Sequence, residues 1–303
     1  MLSEIFYWVL NVSIVGSLMG LGLLALRRIK YLPRFVVYLL WLIPLFRLWS
    51  PFGLANRYSF LNLLSKFTTR TVVVWERALG LTTSNFLMAA DEYFPITYKT
   101  QLLERVFTTA SFVWIVVAAA GVLTAVLLYA LTKSALKSAE HVRDNIYQSP
   151  QISSPAVYGI FRPKIILPTA LAKGDSEYIL MHERVHIARR DNLWRVAAVI
   201  TACLHWFNPL VWIFLKCFFA DMELACDAKV IRQLTTGQKK EYAVAVLTAA
   251  QGKAFFASAF GGAKTRVRIE SILSYKKLTA FSAVCFAALF IAVAVVLLTN
   301  AAG

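Results

Sequence analysis

The amino-acid sequence predicts a mainly α-helical protein that crosses a membrane about four times and carries an α+β domain in the cytoplasm. Two observations predict this fold class. Of the 303 residues, 59% are hydrophobic and only 16% are charged, and long uncharged runs alternate with clusters of Lys and Arg. Both features are typical of polytopic membrane proteins. The net charge of +16 therefore favours cytoplasmic loops and contact with anionic lipid over nucleic-acid binding, for which the sequence has no motif.

The first predicted span covers residues 5–26, which contain no charged side chain. A helix of this length is roughly 33 Å long, enough to cross a hydrocarbon core of about 30 Å. Arg27, Arg28 and Lys30 follow at once, whereas the N-terminal tail has no basic residue. This distribution of positive charge predicts that the N-terminus lies outside the cell.

A second span is predicted between Arg34 and Arg47, although only residues 35–46 between them are uncharged. The segment crosses the membrane only if both arginines extend their charged ends toward the interfaces. Residues 50–105 then form an external loop that is rich in aromatic side chains and can lie partly on the membrane surface.

Two further uncharged runs, residues 106–131 and 278–299, predict the third and fourth spans. The chain then divides into a membrane region with three spans and the external loop at 1–131, a cytoplasmic domain at 132–277, and the fourth span with a short external tail at 278–303. The domain at 132–277 is rich in Lys and Arg, which fits a cytoplasmic position. Both chain termini are therefore expected outside the cell membrane.

The chemistry of the chain is predicted from His182-Glu183-Arg184-Val185-His186. Positions four apart lie on the same face of a helix, about one turn apart, so the two imidazoles can bind one metal ion. Glu183 lies beside them and fits the general base of a metalloprotease. We therefore predict one Zn²⁺ per chain, with His182 and His186 as ligands and Glu183 as the catalytic residue.

Glu223 is predicted to be the third metal ligand, because a catalytic zinc site has three protein ligands and leaves its fourth position to water. It begins the segment Glu223-Leu224-Ala225-Cys226-Asp227. Asp227 lies four residues later on the same helix face. We predict that Asp227 accepts a hydrogen bond from the free ring nitrogen of a ligand histidine.

Residues 196–215 are also uncharged and long enough to cross a membrane. A single crossing there would place Glu223 on the opposite side of the bilayer from His182. Asn208-Pro209 interrupts the run, and proline is well suited to the start of a helix. We therefore predict two helices that fold back on each other near the membrane surface.

The other histidines and the cysteines are predicted to have structural roles. His205 lies among aromatic residues and is expected to be a hydrogen-bonded packing residue, and His141 has no predicted catalytic role. The four cysteines show no CxxC spacing, so neither a disulfide framework nor a thiolate metal site is indicated. They are expected to be small buried hydrophobic residues.

These separated features together resemble the BlaR/MecR-type membrane metallopeptidases, whose best-known members are β-lactam sensor-transducers. The similar segments are Tyr158-Gly159-Ile160-Phe161-Arg162-Pro163-Lys164-Ile165-Ile166-Leu167-Pro168, His182-Glu183-Arg184-Val185-His186, Arg189-Arg190-Asp191-Asn192, Phe207-Asn208-Pro209, Glu223-Leu224-Ala225-Cys226-Asp227 and the basic segment 264–277. They cover residues 153–277, and the four predicted spans extend the resemblance to nearly the whole chain.

The resemblance implies a gluzincin-like α+β zinc metalloprotease domain, in which His182, His186 and Glu223 bind zinc and Glu183 is the general base. It implies that residues 157–167 supply strands, one of which presents an edge to an extended peptide substrate. In this family an extracellular signal activates a cytoplasmic protease that cleaves itself, a transcriptional repressor, or both. A role in signal transduction and antibiotic resistance is therefore expected.

The expected partners are the lipid bilayer and a protein substrate, which is the chain itself, a cytoplasmic repressor, or both. Gly16 and Gly20 form a small-xxx-small pair that permits close helix packing, including packing against a second copy in a homo-oligomer. The chain ends at Gly303, directly after the fourth predicted span. Direct acylation by a β-lactam is therefore not supported by this sequence; either it is a piece of a longer protein that carries a penicillin-binding domain, or the signal arrives by another route.

Two alternatives stay open at this stage. A CAAX-processing or quality-control type of membrane zinc protease also combines His-Glu-x-x-His with Glu-x-x-x-Asp, although the segment 162–168 and the Cys226-Asp227 pair favour the BlaR/MecR type. The second alternative is a non-catalytic membrane signalling scaffold with a relic metal site. An intact Glu183 beside both histidines argues against that scaffold.

Overall fold

The structure is a computed structural model that describes residues 2–29, 32–49, 55–56, 58–59, 101–169, 173–250, 263–275, 280–298 and 300–301. Helices dominate these residues, as the sequence predicts, and a small sheet lies before the helix that carries the His-Glu-x-x-His motif. The predicted external loop at 50–105 falls almost entirely outside the described residues.

The described residues contain ten α-helices. In chain order they are α1 (Leu2–Leu26), α2 (Arg34–Leu40), α3 (Leu42–Trp49), α4 (Gln101–Ala135), α5 (Lys173–Ala188), α6 (Asp191–Leu204), α7 (Pro209–Ile231), α8 (Thr236–Ala250), α9 (Thr265–Leu273) and α10 (Ala280–Leu298). A short 3-10 helix, Leu136–Ser138, follows α4.

Six short strands complete the described secondary structure. They are β1 (Ala55–Asn56), β2 (Glu140–Arg143), β3 (Ile146–Ser149), β4 (Ala156–Tyr158), β5 (Lys164–Pro168) and β6 (Asn300–Ala301). Four of them form a mixed sheet in the order β2-β3-β5-β4, in which only β3 and β5 are parallel. Strands within residues 157–167 are thus present as predicted, and β4 lies at one edge of the sheet.

The turn between β4 and β5 depends on Gly159. Its φ is +97°, and a Cβ atom at this position would lie 2.7 Å from the carbonyl oxygen of Arg162. A residue with a side chain would therefore be strained here.

Within the part of the chain that the structure describes, two helices are long and apolar enough to cross a membrane, judged by length and composition: α1 and the part of α4 from Arg105 onward. The last predicted span corresponds to α10, which contains a shorter apolar stretch, Val284–Leu298. The second predicted span corresponds to two short helices, α2 and α3, which meet at Trp41, and its crossing of the membrane stays a prediction. Pro44 explains the break, since its ring clashes with the carbonyl group four residues earlier, at Leu40.

The apolar stretch 196–215 forms two helices, which confirms the predicted interruption. The first, α6, ends at Leu204, and α7 begins at Pro209. The side chain of Asn208 caps α7 by accepting a hydrogen bond from the backbone N–H of Leu210 over 3.0 Å. We call α6, α7 and the turn between them the helical hairpin.

The helical hairpin packs along α1 and reaches α4. The side-chain amide of Asn208 donates hydrogen bonds of 2.7 Å to the hydroxyls of Ser13 and Ser17 in α1. At the turn, the ring of Phe207 lies 6.0 Å from that of Phe6 near the start of α1. The indole N–H of Trp114 in α4 donates to the carbonyl oxygen of Leu204 over 2.8 Å. The hairpin therefore extends along most of the length of α1, the first predicted span, which differs from the position near the membrane surface that the sequence predicts.

Helix α7 belongs to two hydrophobic cores. Its first half, including Phe214 and Phe218, packs with buried residues of α1, α2 and α3. Its second half, including Val230 and Ile231, packs with residues of α5, α8 and α9, including Tyr242. One continuous helix thus connects the apolar helix bundle with the domain that follows α4.

Gly16 and Gly20 are used for packing within the chain. A Cβ atom at Gly16 would lie 2.6 Å from the side chain of Leu48 in α3, and one at Gly20 would overlap the ring of Phe214 in α7. The two glycines therefore allow α3 and α7 to pack closely against α1. Homo-oligomerisation stays a prediction.

Candidate metal centre

Helix α5 brings the two predicted ligand histidines together. His182 and His186 project from the same face of the helix, and their Nε2 atoms lie 3.1 Å apart. The imidazole rings meet edge to face with centroids 4.7 Å apart. Both side chains are buried. This is the geometry that a spacing of four residues in a helix produces.

Helix α7 places Glu223 opposite the two histidines. Its Oε2 lies 3.3 Å from Nε2 of His182, and its Oε1 lies 3.5 Å from Nε2 of His186. Ligand atoms about 2.0–2.2 Å from a tetrahedral zinc ion are separated by about 3.3 Å. The three donor groups therefore fit one zinc ion in both chemistry and spacing.

Cys226 is a second residue of α7 that approaches the histidines. Its sulfur lies within 4.8 Å of a ring nitrogen of His182 and of His186, so a His-His-Cys donor set is also present. The sequence did not indicate a thiolate metal site, and the position of this sulfur makes Cys226 a second candidate for the third ligand. However, the thiol donates to the backbone carbonyl of His182 over 3.3 Å. This contact ties the sulfur to the backbone of α5, whereas the oxygens of Glu223 face both Nε2 atoms.

The Nδ1 atom of each histidine, on the opposite side of the ring from the predicted metal ligand Nε2, also has polar contacts. Nδ1 of His182 lies 2.9 Å from the hydroxyl of Tyr242 and 3.2 Å from Oδ1 of Asp227. Nδ1 of His186 lies 2.6 Å from Oδ2 of Asp191. Contacts of this kind orient a ligand imidazole and place its proton on Nδ1, which leaves Nε2 free for a metal. Asp227 thus lies where the sequence predicts it, and Asp191 is its counterpart for the other histidine.

Arg268 of α9 connects this site to the segment before the last predicted span. Its guanidinium donates to both carboxylate oxygens of Asp227, over 2.7 and 2.8 Å. It also lies 3.5 Å from Oε2 of Glu223. Burial by itself raises the pKa of Asp227, but the charge and hydrogen bonds of Arg268 outweigh burial and hold this pKa below its usual value. Asp227 is therefore a permanent carboxylate at neutral pH.

A second arginine contacts Glu223 from α6. Nη2 of Arg195 donates to Oε1 of Glu223 over 2.6 Å. The side chain of Arg195 is 34% exposed, compared with 15% for Glu223 and 18% for Arg268. It therefore marks the side of the site that is open to solvent.

Glu183 lies in α5 between the two histidines and is 8% exposed. Tyr158, the last residue of the edge strand β4, is close enough for its pKa to respond to Glu183. Burial raises the pKa of the Tyr158 phenol, and the negative charge of Glu183 raises it further. Tyr158 therefore stays protonated at neutral pH.

Part of the edge of β4 is already occupied. The side-chain amide of Asn192 donates to the carbonyl oxygens of Val157 and Gly159, over 3.0 Å in each case. A peptide that lies along this strand would have to displace Asn192 to use those two carbonyl groups.

The structure brings together four of the five residues predicted for the site, His182, His186, Glu223 and Asp227. Glu183 is buried next to His182 in α5. The roles of all five stay predictions. Sequence reasoning missed four further residues that contact this group: Asp191, Arg195, Tyr242 and Arg268. Asp191 follows His186 by five residues, so a longer motif could have found it. Tyr242 and Arg268 lie on separate helices and have no local signal.

Long apolar helices joined to a buried pair of histidines with a facing carboxylate define a class of protein, the helical metallopeptidases of membranes. The chain belongs to the family described as BlaR1 peptidase M56, whose profile matches residues 7–272. This match covers most of the chain and confirms the resemblance found in the sequence. Members of this family are metal-dependent peptidases.

Individual relatives are similar over shorter stretches. The chain is 33% identical over 110 residues to the regulatory protein BlaR1 of Bacillus licheniformis, an alignment that covers 35% of this chain and 18% of that protein. It is 29% identical over 106 residues to the methicillin resistance mecR1 protein of Staphylococcus aureus, covering 34% of this chain and 18% of the relative. The chain therefore spans less than a fifth of the length of these relatives.

Proposed function

We propose that this chain is a zinc endopeptidase that hydrolyses peptide bonds on the cytoplasmic side of the cell membrane. The observation that carries the proposal is the triangle formed by two Nε2 atoms and one carboxylate, with separations of 3.1, 3.3 and 3.5 Å. These separations match the edges of a zinc tetrahedron with one position left open, which is the arrangement of catalytic zinc sites.

The roles of the side chains follow from their positions. A bound zinc ion supplies Lewis-acid polarisation of the scissile carbonyl and lowers the pKa of water to about 7. Glu183 accepts a proton from the attacking water and returns it to the departing amine nitrogen. Tyr158, protonated beside Glu183, is available to donate a hydrogen bond to the substrate. Asp227 and Asp191 keep the two imidazoles in the tautomer that binds metal.

The four-span topology, with both termini outside, forms part of the proposal. The short strands β1 and β6 pair in parallel, Ala55 with Asn300 and Asn56 with Ala301. Strand β1 follows the second predicted span and β6 follows the fourth. Their pairing supports an arrangement in which these two spans end on the same face of the membrane.

Fusions to reporter enzymes test this topology. Alkaline phosphatase fused after Gly303 is expected to be active and green fluorescent protein fused there to be dark. Fusions after Ser138, at the end of the 3-10 helix, are expected to give the opposite pattern. The same pattern at both positions would contradict the proposed orientation.

The proposed substrate is the chain itself, a cytoplasmic repressor, or both, in signal-dependent regulation. The printed names of the relatives, a regulatory protein and a methicillin resistance protein, support a regulatory role. We expect self-cleavage within residues 252–277, a region that lies partly outside the described residues and includes Arg268. A cut before Arg268 would separate this residue from the chain that carries the metal centre, whereas a cut after Arg268 would leave it attached.

The decisive experiment measures zinc content and proteolysis on the full chain in nanodiscs. Wild type is expected to hold about one zinc ion and to cleave itself or an added repressor, with products identified by mass spectrometry. Glu183→Gln is expected to retain zinc and lose cleavage. Glu177→Gln, an exposed acid on the same helix, is the matched control and should cleave as wild type does. Retained cleavage in Glu183→Gln would remove Glu183 from the mechanism.

The two alternatives give different results in this experiment. A non-catalytic scaffold would show no cleavage by wild type even when zinc is bound. A CAAX-processing type of protease would cleave prenylated peptides in preference to the chain or a repressor.

A further inference from the structure

The ring of Tyr38 in α2 is held in place by the helices around the metal centre. It stacks on Phe218 of α7 with a centroid distance of 5.7 Å and an interplanar angle of 13°. The guanidinium carbon of Arg189, directly after α5, lies 4.2 Å from the centroid of the same ring. Tyr38 is 3% exposed. The direction of its hydroxyl is therefore set by how α2 packs against α5 and α7.

The hydroxyl of Tyr38 reaches His186 through one carboxylate. It donates to Oδ1 of Asp191 over 3.0 Å, and Oδ2 of Asp191 lies 2.6 Å from Nδ1 of His186. Arg189 completes the environment of the carboxylate, with Nε 3.2 Å from Oδ1 and Nη2 3.1 Å from Oδ2. Asp191 is fully buried, so its orientation depends on these three donors.

A parallel connection joins the same region to the helix of Glu223. The indole N–H of Trp41, at the junction of α2 and α3, donates to Oδ2 of Asp221 over 2.8 Å. Arg27, directly after α1, donates to both oxygens of Asp221 over 3.0 Å each. Asp221 is buried and precedes Glu223 by two residues in α7. The segment around α2 is thus hydrogen-bonded to α7, which supplies Glu223, and to Asp191, which contacts His186 of α5.

We propose that Tyr38 is a positioning residue of the metal centre, which acts through Asp191 on the imidazole of His186. The inference rests on the proposed function, since it takes His186 to be a metal ligand. Removing the hydroxyl of Tyr38 leaves Oδ1 of Asp191 with Arg189 as its remaining donor. The carboxylate can then rotate, and the imidazole loses part of its preorganisation for metal binding.

Zinc affinity of the full chain in nanodiscs, measured by competition with a chelator of known affinity, tests the proposal. Partners of this kind contribute about 10–100-fold to metal affinity, so Asp191→Asn is expected to weaken zinc binding by that factor. Tyr38→Phe is expected to weaken it by about fivefold, a smaller effect because it acts through Asp191. Tyr147→Phe, in β3 and away from the site, is the matched control and should bind zinc as wild type does.

The double variant Tyr38→Phe with Asp191→Asn distinguishes positioning from a general loss of stability. If Tyr38 acts through Asp191, the double variant binds zinc no more weakly than Asp191→Asn alone, because coupled residues are not additive. Additive losses, or an affinity of Tyr38→Phe within about twofold of wild type, would overturn the inference.

The outcomes also separate this inference from the proposed function. Zinc affinities that follow the expected order in a protein that cleaves no substrate would support the positioning role and reject the peptidase. Normal cleavage by wild type, combined with an unchanged zinc affinity in Tyr38→Phe, would support the peptidase and reject the positioning role of Tyr38. A wild-type protein without zinc would overturn both.

Discussion

The hydroxyl of Tyr242 donates a 2.6 Å hydrogen bond to Oδ1 of Asp227, and both oxygen atoms face the same ring nitrogen of His182. The imidazole is therefore held by a phenol and a carboxylate that are themselves fixed to each other. Asp227 is held in turn by Arg268 from α9. Three helices thus converge on the orientation of one imidazole.

Tyr242→Phe tests the contribution of this phenol. The substitution removes one buried hydroxyl but keeps the ring, so we expect zinc affinity to fall by about tenfold. Chelator competition measures the change. Tyr178→Phe is the control, since the hydroxyl of Tyr178 contacts Glu241 at the surface and not the histidines. Equal zinc affinity in Tyr242→Phe and wild type would show that Asp227 alone orients His182.

Glu223→Ala and Cys226→Ala together identify the third ligand. We expect Glu223→Ala to lose zinc, because only two imidazole donors remain. Cys226→Ala is expected to keep about one zinc ion per chain, since the sulfur contacts the backbone of α5. Elemental analysis of the purified variants measures both. The opposite result, zinc lost with Cys226→Ala and kept with Glu223→Ala, would assign the site to the His-His-Cys set.

Arg268→Met is expected to destabilise the protein strongly. It leaves the buried carboxylate of Asp227 without its charged partner, a change that costs about 3 kcal/mol in comparable buried pairs. Thermal unfolding in nanodiscs should therefore show a clearly lowered midpoint. Arg266→Met on the same helix is the control, because the Arg266–Glu270 pair is exposed and is expected to contribute nothing measurable. An unchanged midpoint for Arg268→Met would mean that solvent reaches Asp227.

Gly20→Ala is expected to lower stability by overpacking. The new methyl group would overlap the buried ring of Phe214, and added volume in a packed core typically costs about 1–3 kcal/mol. Gly22→Ala is the matched control, since a Cβ atom there meets nothing within 4 Å. Alanine also favours helix over glycine, so this control should unfold at the same or a slightly higher temperature. Equal thermal unfolding midpoints for Gly20→Ala and Gly22→Ala would contradict the packing of α1 on α7.

The residues that the sequence could locate are those whose partners lie within one helical element. His182 and His186 are one turn apart, and so are Glu223 and Asp227, so the 3.6-residue period alone places each pair on one face. Asp191 could also have been located from the sequence, because it follows His186 by five residues. Tyr242 and Arg268 could not, because their places depend on how α8 and α9 pack against α5 and α7.

In the second predicted span, hydropathy and charge do not reveal the break between α2 and α3. Hydropathy and charge describe residues 35–46 as one apolar unit, but they ignore backbone geometry. Pro44 carries the missing signal, since its effect on Leu40 divides the segment into α2 and α3. The split of residues 196–215 was predictable because Asn208-Pro209 combines a capping side chain with a residue suited to the first turn of a helix.

The position of α7 in two hydrophobic cores determines how this protein can be handled in the laboratory. A soluble fragment that starts after α4 would contain the His-Glu-x-x-His motif and Glu223, but Phe214 and Phe218 would lose their partners in α1 to α3. Asp221 would also lose Arg27 and Trp41. Such a fragment is expected to aggregate, so the peptidase has to be purified together with its N-terminal helices.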